Sequence, residues 1–209
     1  MIIAIEGPNC AGKTTLIKKL SKLFIKENIS FKAIPEYVDL IGGDENKQPD
    51  RPFTSKDDMK KEGEYYIGLE KKIQKMLKNR KYDIFIRDRS FFTCLTYSKL
   101  SKNYISEKMF KKYLNSKNYI HPDLIIYLDI NLKSKEYKKR LILRKKKNSR
   151  LRGLNYRIKE FSYIYKHKEY INYFKKSLAK KYNNIIFVNP LKNDVEHIYN
   201  IIKSSKVTN

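Results

Sequence analysis

The chain begins MIIAIEGPNCAGKTTLIKKL, Met1 to Leu20. Within it GPNCAGKT, Gly7 to Thr14, fits the pattern G-x-x-x-x-G-K-[ST], and its setting decides the reading: an apolar run, Ile2 to Glu6, precedes it and a helical pattern follows. Strand, glycine loop and helix together make a phosphate cradle. Backbone N–H groups turn inward around the anion and the helix N-terminus adds its positive dipole end. Gly7, Asn9, Cys10, Ala11, Gly12, Lys13, Thr14 and Thr15 are the expected phosphate-binding residues. Lys13 is expected to reach the β/γ-phosphates and the Thr14 hydroxyl to hold Mg²⁺.

Outward from this loop, short apolar runs alternate with longer helical patterns, which predicts an α/β protein with a parallel sheet and crossover helices. Strands are expected at Ile2–Glu6, Phe31–Ile34, Tyr82–Asp88, Asp123–Asp129 and Asn184–Asn189. From Thr14, residues Leu16, Ile17, Leu20, Leu23 and Phe24 share one helical face. The polar stretch IGGDENKQPDRPFTSKDD punctuates like a long loop, and a helix is predicted over Met59–Leu77. Leu132 to Lys180 has a helical pattern broken near Asn148–Leu154, where Gly153 stands. No repeat or linker divides the chain, so residues 1–209 are read as one domain.

The composition limits the compartment and partners. Cys10 and Cys94 lack zinc-site spacing, and a bridge at Cys10 would obstruct the loop, which fits a reducing interior. Ile2–Ile5 is too short for a signal-peptide core, and no apolar run approaches the ~18 residues of a membrane helix. A cytoplasmic protein with no membrane partner is expected. Lys and Arg number 47 against 22 Asp and Glu, a formal charge of +25. Such a balance attracts polyanions by counterion release, so nucleic acid is a conceivable partner. The lysines are nevertheless spread along the whole chain with abundant Asn, Ile and Tyr, as in a product of an AT-rich genome, and nucleic acid is not favoured.

Three further positions carry candidate chemistry. IPEYVD places Glu36 after the second strand, at the carboxyl end where open α/β sheets bind ligands, and a carboxylate there suits a general base. FIRDRS crowds Arg87, Asp88 and Arg89 after the third strand, with Asp88 suited to a metal-bound water and Arg89 to phosphate charge. A local ion-pair network is the structural alternative. DLIIYLD ends in Asp129, which competes with Asp88 for the metal. In RLILRKKKNSRLRG, Arg140 and Arg144 stand at i, i+4 spacing, as a clamp on ATP or as part of a solvated basic helix.

The phosphate loop, PEY after the second strand, DRS after the third and R-x-x-x-R before a basic segment resemble, in that order, the deoxynucleoside kinase and thymidylate kinase group of P-loop kinases. The resemblance runs from Ile2 to about Pro190. It implies a three-layer P-loop kinase fold: a five-stranded parallel sheet flanked by helices, with an arginine-rich lid at about 144–154. It also implies ATP and Mg²⁺ at Lys13 and Thr14, and lid roles for Arg140 and Arg144. Glu36, Asp88 and Arg89 match the group's base and its acidic-arginine pair, with Tyr37 where deoxynucleoside kinases have proline and Asp88 where they have glutamate. A homodimer is the expected assembly.

Thymidylate kinases instead show an arginine, gripping a monophosphate, where this chain has Pro35. That difference favours an acceptor without a phosphate, hence phosphoryl transfer from ATP to the 5′-hydroxyl of a deoxynucleoside. The Asp-Arg pair and the loop's Pro8 and Asn9 look more like thymidylate kinases, and Arg51 or Arg87 is available to replace the missing cation. A thymidylate kinase making dTDP from dTMP is therefore the alternative. Glu64, Tyr65 and Tyr66 fall where the group reads the acceptor base, and the two tyrosines suit either stacking or core packing. A nucleic-acid-stimulated ATPase is a third reading. A guanine-nucleotide switch is excluded, because NKQPD places its aspartate one residue too late for N-K-x-D.

Overall fold

The computed structural model describes residues 1–41, 55–79, 81–147 and 168–207. Five parallel strands make one sheet in the order β2-β3-β1-β4-β5: β1 (Ile2–Glu6), β2 (Phe31–Ile34), β3 (Ile84–Asp88), β4 (Leu124–Leu128) and β5 (Ile185–Val188). All five expected strands are present, with ends trimmed by up to two residues. The three inner strands are buried along their whole length, whereas β2 and β5 at the edges are partly exposed. This pattern follows from a parallel sheet covered on both faces, where inner strands need continuous apolar sequence.

Helices cover each face. Ile3, Ile5, Ile86, Ile126 and Leu128 point toward α1 (Lys13–Lys26) and the C-terminal helix. Ile2, Ala4, Phe85, Ile125 and Tyr127 point toward a second core that includes α3 (Lys56–Lys78), α4 (Phe91–Leu100) and α5 (Tyr104–Leu114). A short α2 (Tyr37–Leu40) follows β2, and α6 (Lys135–Lys147) follows β4. A helical segment over 168–181 takes π geometry across Phe174–Leu178, and α7 (Val195–Val207) ends the described chain.

The predicted helix at Met59–Leu77 starts three residues earlier, at Lys56. Ser55 caps it by accepting from the Asp58 N–H at 3.1 Å, and Asp57 and Asp58 favour the positive end of the helix. Helices α4 and α5 occupy a stretch that periodicity leaves unassigned. Buried on nearly all sides, α4 lacks the polar stripe that marks an amphipathic helix. Of the lid expected at about 144–154, residues 144–147 form the end of α6, while 148–154 lie outside the described residues, as do Arg51 and the side chain of Arg144. Among the described residues no helix is long and apolar enough to cross a membrane.

Candidate active site

The phosphate loop joins the end of β1 to α1. Gly7 has φ 136°, and a Cβ there would lie 2.9 Å from the Leu128 carbonyl oxygen of β4, so neither the backbone nor the space admits a side chain. Gly12 has φ 102° and forms the N-cap of α1 without a side-chain capping bond. Lys13 folds back beneath the loop, its Nζ donating to the carbonyls of Gly7 at 3.3 Å and Pro8 at 3.2 Å. Burial, aided by the neighbouring Arg89 charge, lowers the Lys13 pKa to about 8, although Asp88, Glu36 and Glu6 pull the other way.

Next to the loop stands the end of β3, as the strand order requires. The Thr14 hydroxyl donates to Asp88 Oδ2 at 2.7 Å, while Asp88 Oδ1 is buried without a hydrogen-bond partner. Orphaned carboxylate oxygens of this kind need a counter-charge or a donor. Asp129, the competing carboxylate, is half-exposed and paired with Lys175 at 2.6 Å. Asp88, not Asp129, is therefore the acid brought to the loop. Among the described residues no group of three or more His, Cys, Asp or Glu is arranged to hold a metal alone.

Arg89 links the two halves of the site. Its Nε donates to Glu36 Oε1 at 2.6 Å, one terminal nitrogen to the Gly7 carbonyl at 3.1 Å, and the other to Asn9 Oδ1. Glu36, just beyond β2, is thereby tied to the phosphate loop. The guanidinium is nearly fully buried; burial works against its charge, but Glu36 offsets this and its pKa lies well above the ordinary value. Arg140 reaches the loop from α6, donating to the Ala11 carbonyl at 3.4 Å and to Glu136 at 2.8 Å. From the same helix Tyr137 donates to the Asn9 carbonyl at 3.1 Å.

Arg87 is placed differently. Adjacent residues of a strand point to opposite faces, so Asp88 faces α1 while Arg87 turns under the opposite layer. There it is 1% exposed, and its terminal nitrogens donate to Glu70 Oε1 at 2.9 Å and Oε2 at 2.7 Å. Tyr37 donates to the same carboxylate and accepts from Arg87 at 3.1 Å, and Gln74 donates to it at 2.7 Å. Burial disfavours the Arg87 charge, but Glu70 more than offsets that and holds the pKa well above its usual value. The expected charge cluster at FIRDRS is thus two separate networks. Arg87 is not among the cleft-lining residues.

Nor do the proposed base readers line the cleft. Glu64 is exposed and pairs with Lys60 at 3.7 Å. Tyr65 and Tyr66 are half-buried and meet edge to face at 5.2 Å, and Tyr66 packs similarly against Tyr37 and Phe110. Both rings pack against the core that lies under this face of the sheet. Glu6, Glu70, Tyr137 and Tyr170 also join these networks without being expected from the sequence. Only Glu6 carried a signal, as a charged residue closing a strand otherwise entirely apolar.

The loop opens onto a cleft of about 1040 Å³ that runs from Asn9–Thr15, with Glu36 on one side, past Arg140 to Asp194 and Glu196 at the start of α7.

The family model described as "AAA domain" matches residues 2–181. Among solved structures, the deoxyadenosine kinase of M. mycoides with products dCMP and dCDP bound has a TM-score of 0.63 and 23% identity, covering 98% of this chain and 100% of that one. The same enzyme with bound dATP has a TM-score of 0.59 and 22% identity, covering 98% of each chain. With bound dCTP it has a TM-score of 0.60 and 21% identity over 98% of this chain and 100% of that one. No curated protein matches the chain. The fold expected from the sequence is the fold observed: a five-stranded parallel sheet flanked by helices, as in the deoxyadenosine kinase.

Proposed function

The chain belongs to the AAA domain family, and from that premise we propose that it is an ATP-dependent kinase phosphorylating the 5′-hydroxyl of a deoxynucleoside. The observation that carries this reading is the Arg89 guanidinium, which touches the phosphate loop at Gly7 and Asn9 and the Glu36 carboxylate at once. A base for an acceptor hydroxyl and a cation for the transferring phosphoryl group are thereby held at one place. The deoxynucleotides bound by the structurally similar M. mycoides enzyme support the substrate class.

In this reading Lys13, the loop N–H groups and Arg140 bind the ATP phosphates, and Glu36 takes the proton from the 5′-oxygen as that oxygen attacks the γ-phosphorus. The bond to the β-phosphate oxygen breaks, ADP leaves, and Arg89 balances the charge on the moving group. Thr14 and the unpartnered Asp88 oxygen fit Mg²⁺. When bound with ATP, the ion neutralises phosphate charge. Arg89 engages only one oxygen of Glu36, a group with several acceptor sites, and the incoming phosphate offers Arg89 a second anion.

The choice of nucleoside over monophosphate rests on where the cations are committed. Arg87 is closed by a bidentate Glu70, and the position before Glu36 is the apolar Pro35. A dianionic acceptor needs fixed positive charge around it, and the charge of Arg87 is already balanced by Glu70. Incubation with labelled ATP and a panel of deoxynucleosides and their monophosphates tests the proposal. A labelled nucleoside monophosphate product supports it, whereas labelling of dTMP alone establishes the thymidylate kinase instead.

A further inference from the structure

The Glu6 carboxylate is completely buried at the carboxyl end of β1. Its Oε1 accepts from the Ser90 N–H and the Ser90 hydroxyl, both at 2.6 Å. Its Oε2 accepts from the hydroxyls of Thr93 at 2.8 Å and Tyr170 at 2.9 Å. Among the described residues no salt bridge to it occurs. A carboxylate so placed is costly unless its lone pairs are filled, and four donors fill them.

Those donors come chiefly from the N-cap and first turn of α4, which has no acidic residue of its own in that turn. Glu6 thus supplies, from 84 residues upstream, the negative charge that the positive end of α4 favours. Asp88 ends β3 and Ser90 caps α4, so Arg89 alone makes the corner between them. It does so at φ 73°, in the left-handed region that a bulky side chain enters only when its surroundings over-determine it. Two bonds from consecutive residues of β1 provide that determination. The Arg89 N–H donates to the Ile5 carbonyl at 3.0 Å and the Ser90 N–H donates to Glu6.

We propose that Glu6 is a positioning residue for phosphoryl transfer, locking the left-handed corner at Arg89 so that the Arg89 guanidinium stays in register on the phosphate loop. The assignment rests on the kinase reading above. Glu6 touches neither the cleft nor any reacting atom; it acts through Ser90 and the Arg89 backbone. Tyr170 and Thr93 hold its far oxygen and serve stability alone.

The test is steady-state kinetics of Glu6→Gln, Ser90→Ala and Tyr170→Phe, with Glu6→Gln repeated in an Arg89→Ala background. Glutamine keeps the shape but cannot accept at both ends. Displacing a catalytic group by about 1 Å costs on the order of 10²-fold, so Glu6→Gln is expected to lower kcat by ~10–100-fold with acceptor KM within about threefold. Because Glu6 acts through Arg89, the same change in Arg89→Ala lowers kcat no further. Tyr170→Phe lowers Tm and leaves kcat within about twofold of wild type. Equal losses in both backgrounds, an unchanged kcat in Glu6→Gln, or an equal kcat loss in Tyr170→Phe overturns the assignment. Should Glu6→Gln fail to fold, Ser90→Ala alone and with Arg89→Ala gives the same comparison. If the wild-type protein phosphorylates no acceptor, the kinase reading falls separately. Crystal structures then decide the role of Glu6: Arg89 leaving the left-handed region in Glu6→Gln supports it, and Arg89 remaining there refutes it.

Discussion

Arg89 bonds Glu36 at 2.6 Å through Nε while its terminal nitrogens hold the phosphate loop, so the candidate base and the candidate phosphate cradle share one guanidinium. Replacing Glu36 by glutamine removes both the proton acceptor and the charge partner. We expect Glu36→Gln to lower kcat by ~10²-fold or more, measured with the best acceptor of the panel at saturating ATP. An unchanged kcat would falsify the base assignment.

The two carboxylates that compete for Mg²⁺ make different predictions. Asp88→Asn should raise the Mg²⁺ concentration needed for half-maximal activity and lower kcat, since Asp88 is bonded to Thr14 and buried. Asp129→Asn loses only a half-exposed pair with Lys175, and such pairs contribute roughly 0–1 kcal/mol. A Mg²⁺ titration of both variants separates them; a larger shift for Asp129→Asn reverses the metal assignment.

For Lys13 the prediction is one of pH. Burial depresses its pKa to about 8, so the ammonium loses its proton as pH rises through that value. Triphosphate favours the charged form and raises the pKa again. ATP binding therefore takes up protons at pH 8–9, and affinity declines above about pH 8. Calorimetry in two buffers of different ionisation enthalpy measures the uptake, which should vanish in Lys13→Ala together with turnover.

The buried Arg87–Glu70 pair concerns stability. Glu70→Gln leaves a buried guanidinium without its counter-charge, and breaking such a pair costs about 3–5 kcal/mol. Chemical denaturation should show that loss in the midpoint at unchanged slope. A loss below about 1 kcal/mol would mean that Arg87 has found another anion or water.

The strand–loop–helix of the candidate site is legible in the sequence because it is nearly contiguous: a loop able to wrap one phosphate must place its glycines, lysine and hydroxyl within a few residues. The strands were readable for a related reason, since inner parallel strands need unbroken apolar runs. The lower half was not. Glu70 lies 17 residues from Arg87 on another element, and only the packing of α3 on the sheet joins them. FIRDRS invited a single reading, but the pleat sends Arg87 and Asp88 to opposite faces. Tyr65 and Tyr66 could be stacking platforms or core by residue type alone; in the fold they meet each other edge to face, and Tyr66 also meets Phe110, at the margin of the core. Helix α4 escaped because a helix buried all round has no periodicity to find.

The bond from Ser90 to Glu6 also bears on when the site forms. Ser90 caps the first turn of α4 locally, but the N–H groups of Arg89 and Ser90 at the corner find their acceptors only when β1, far upstream in the chain, pairs beside β3. Contacts of such long sequence separation form slowly and dissolve cooperatively. Local breathing of this turn would require burying an unanswered carboxylate. The amides of Arg89 and Ser90 should accordingly exchange with solvent only at the rate of global unfolding, while α2 and the edge strand β2 exchange sooner.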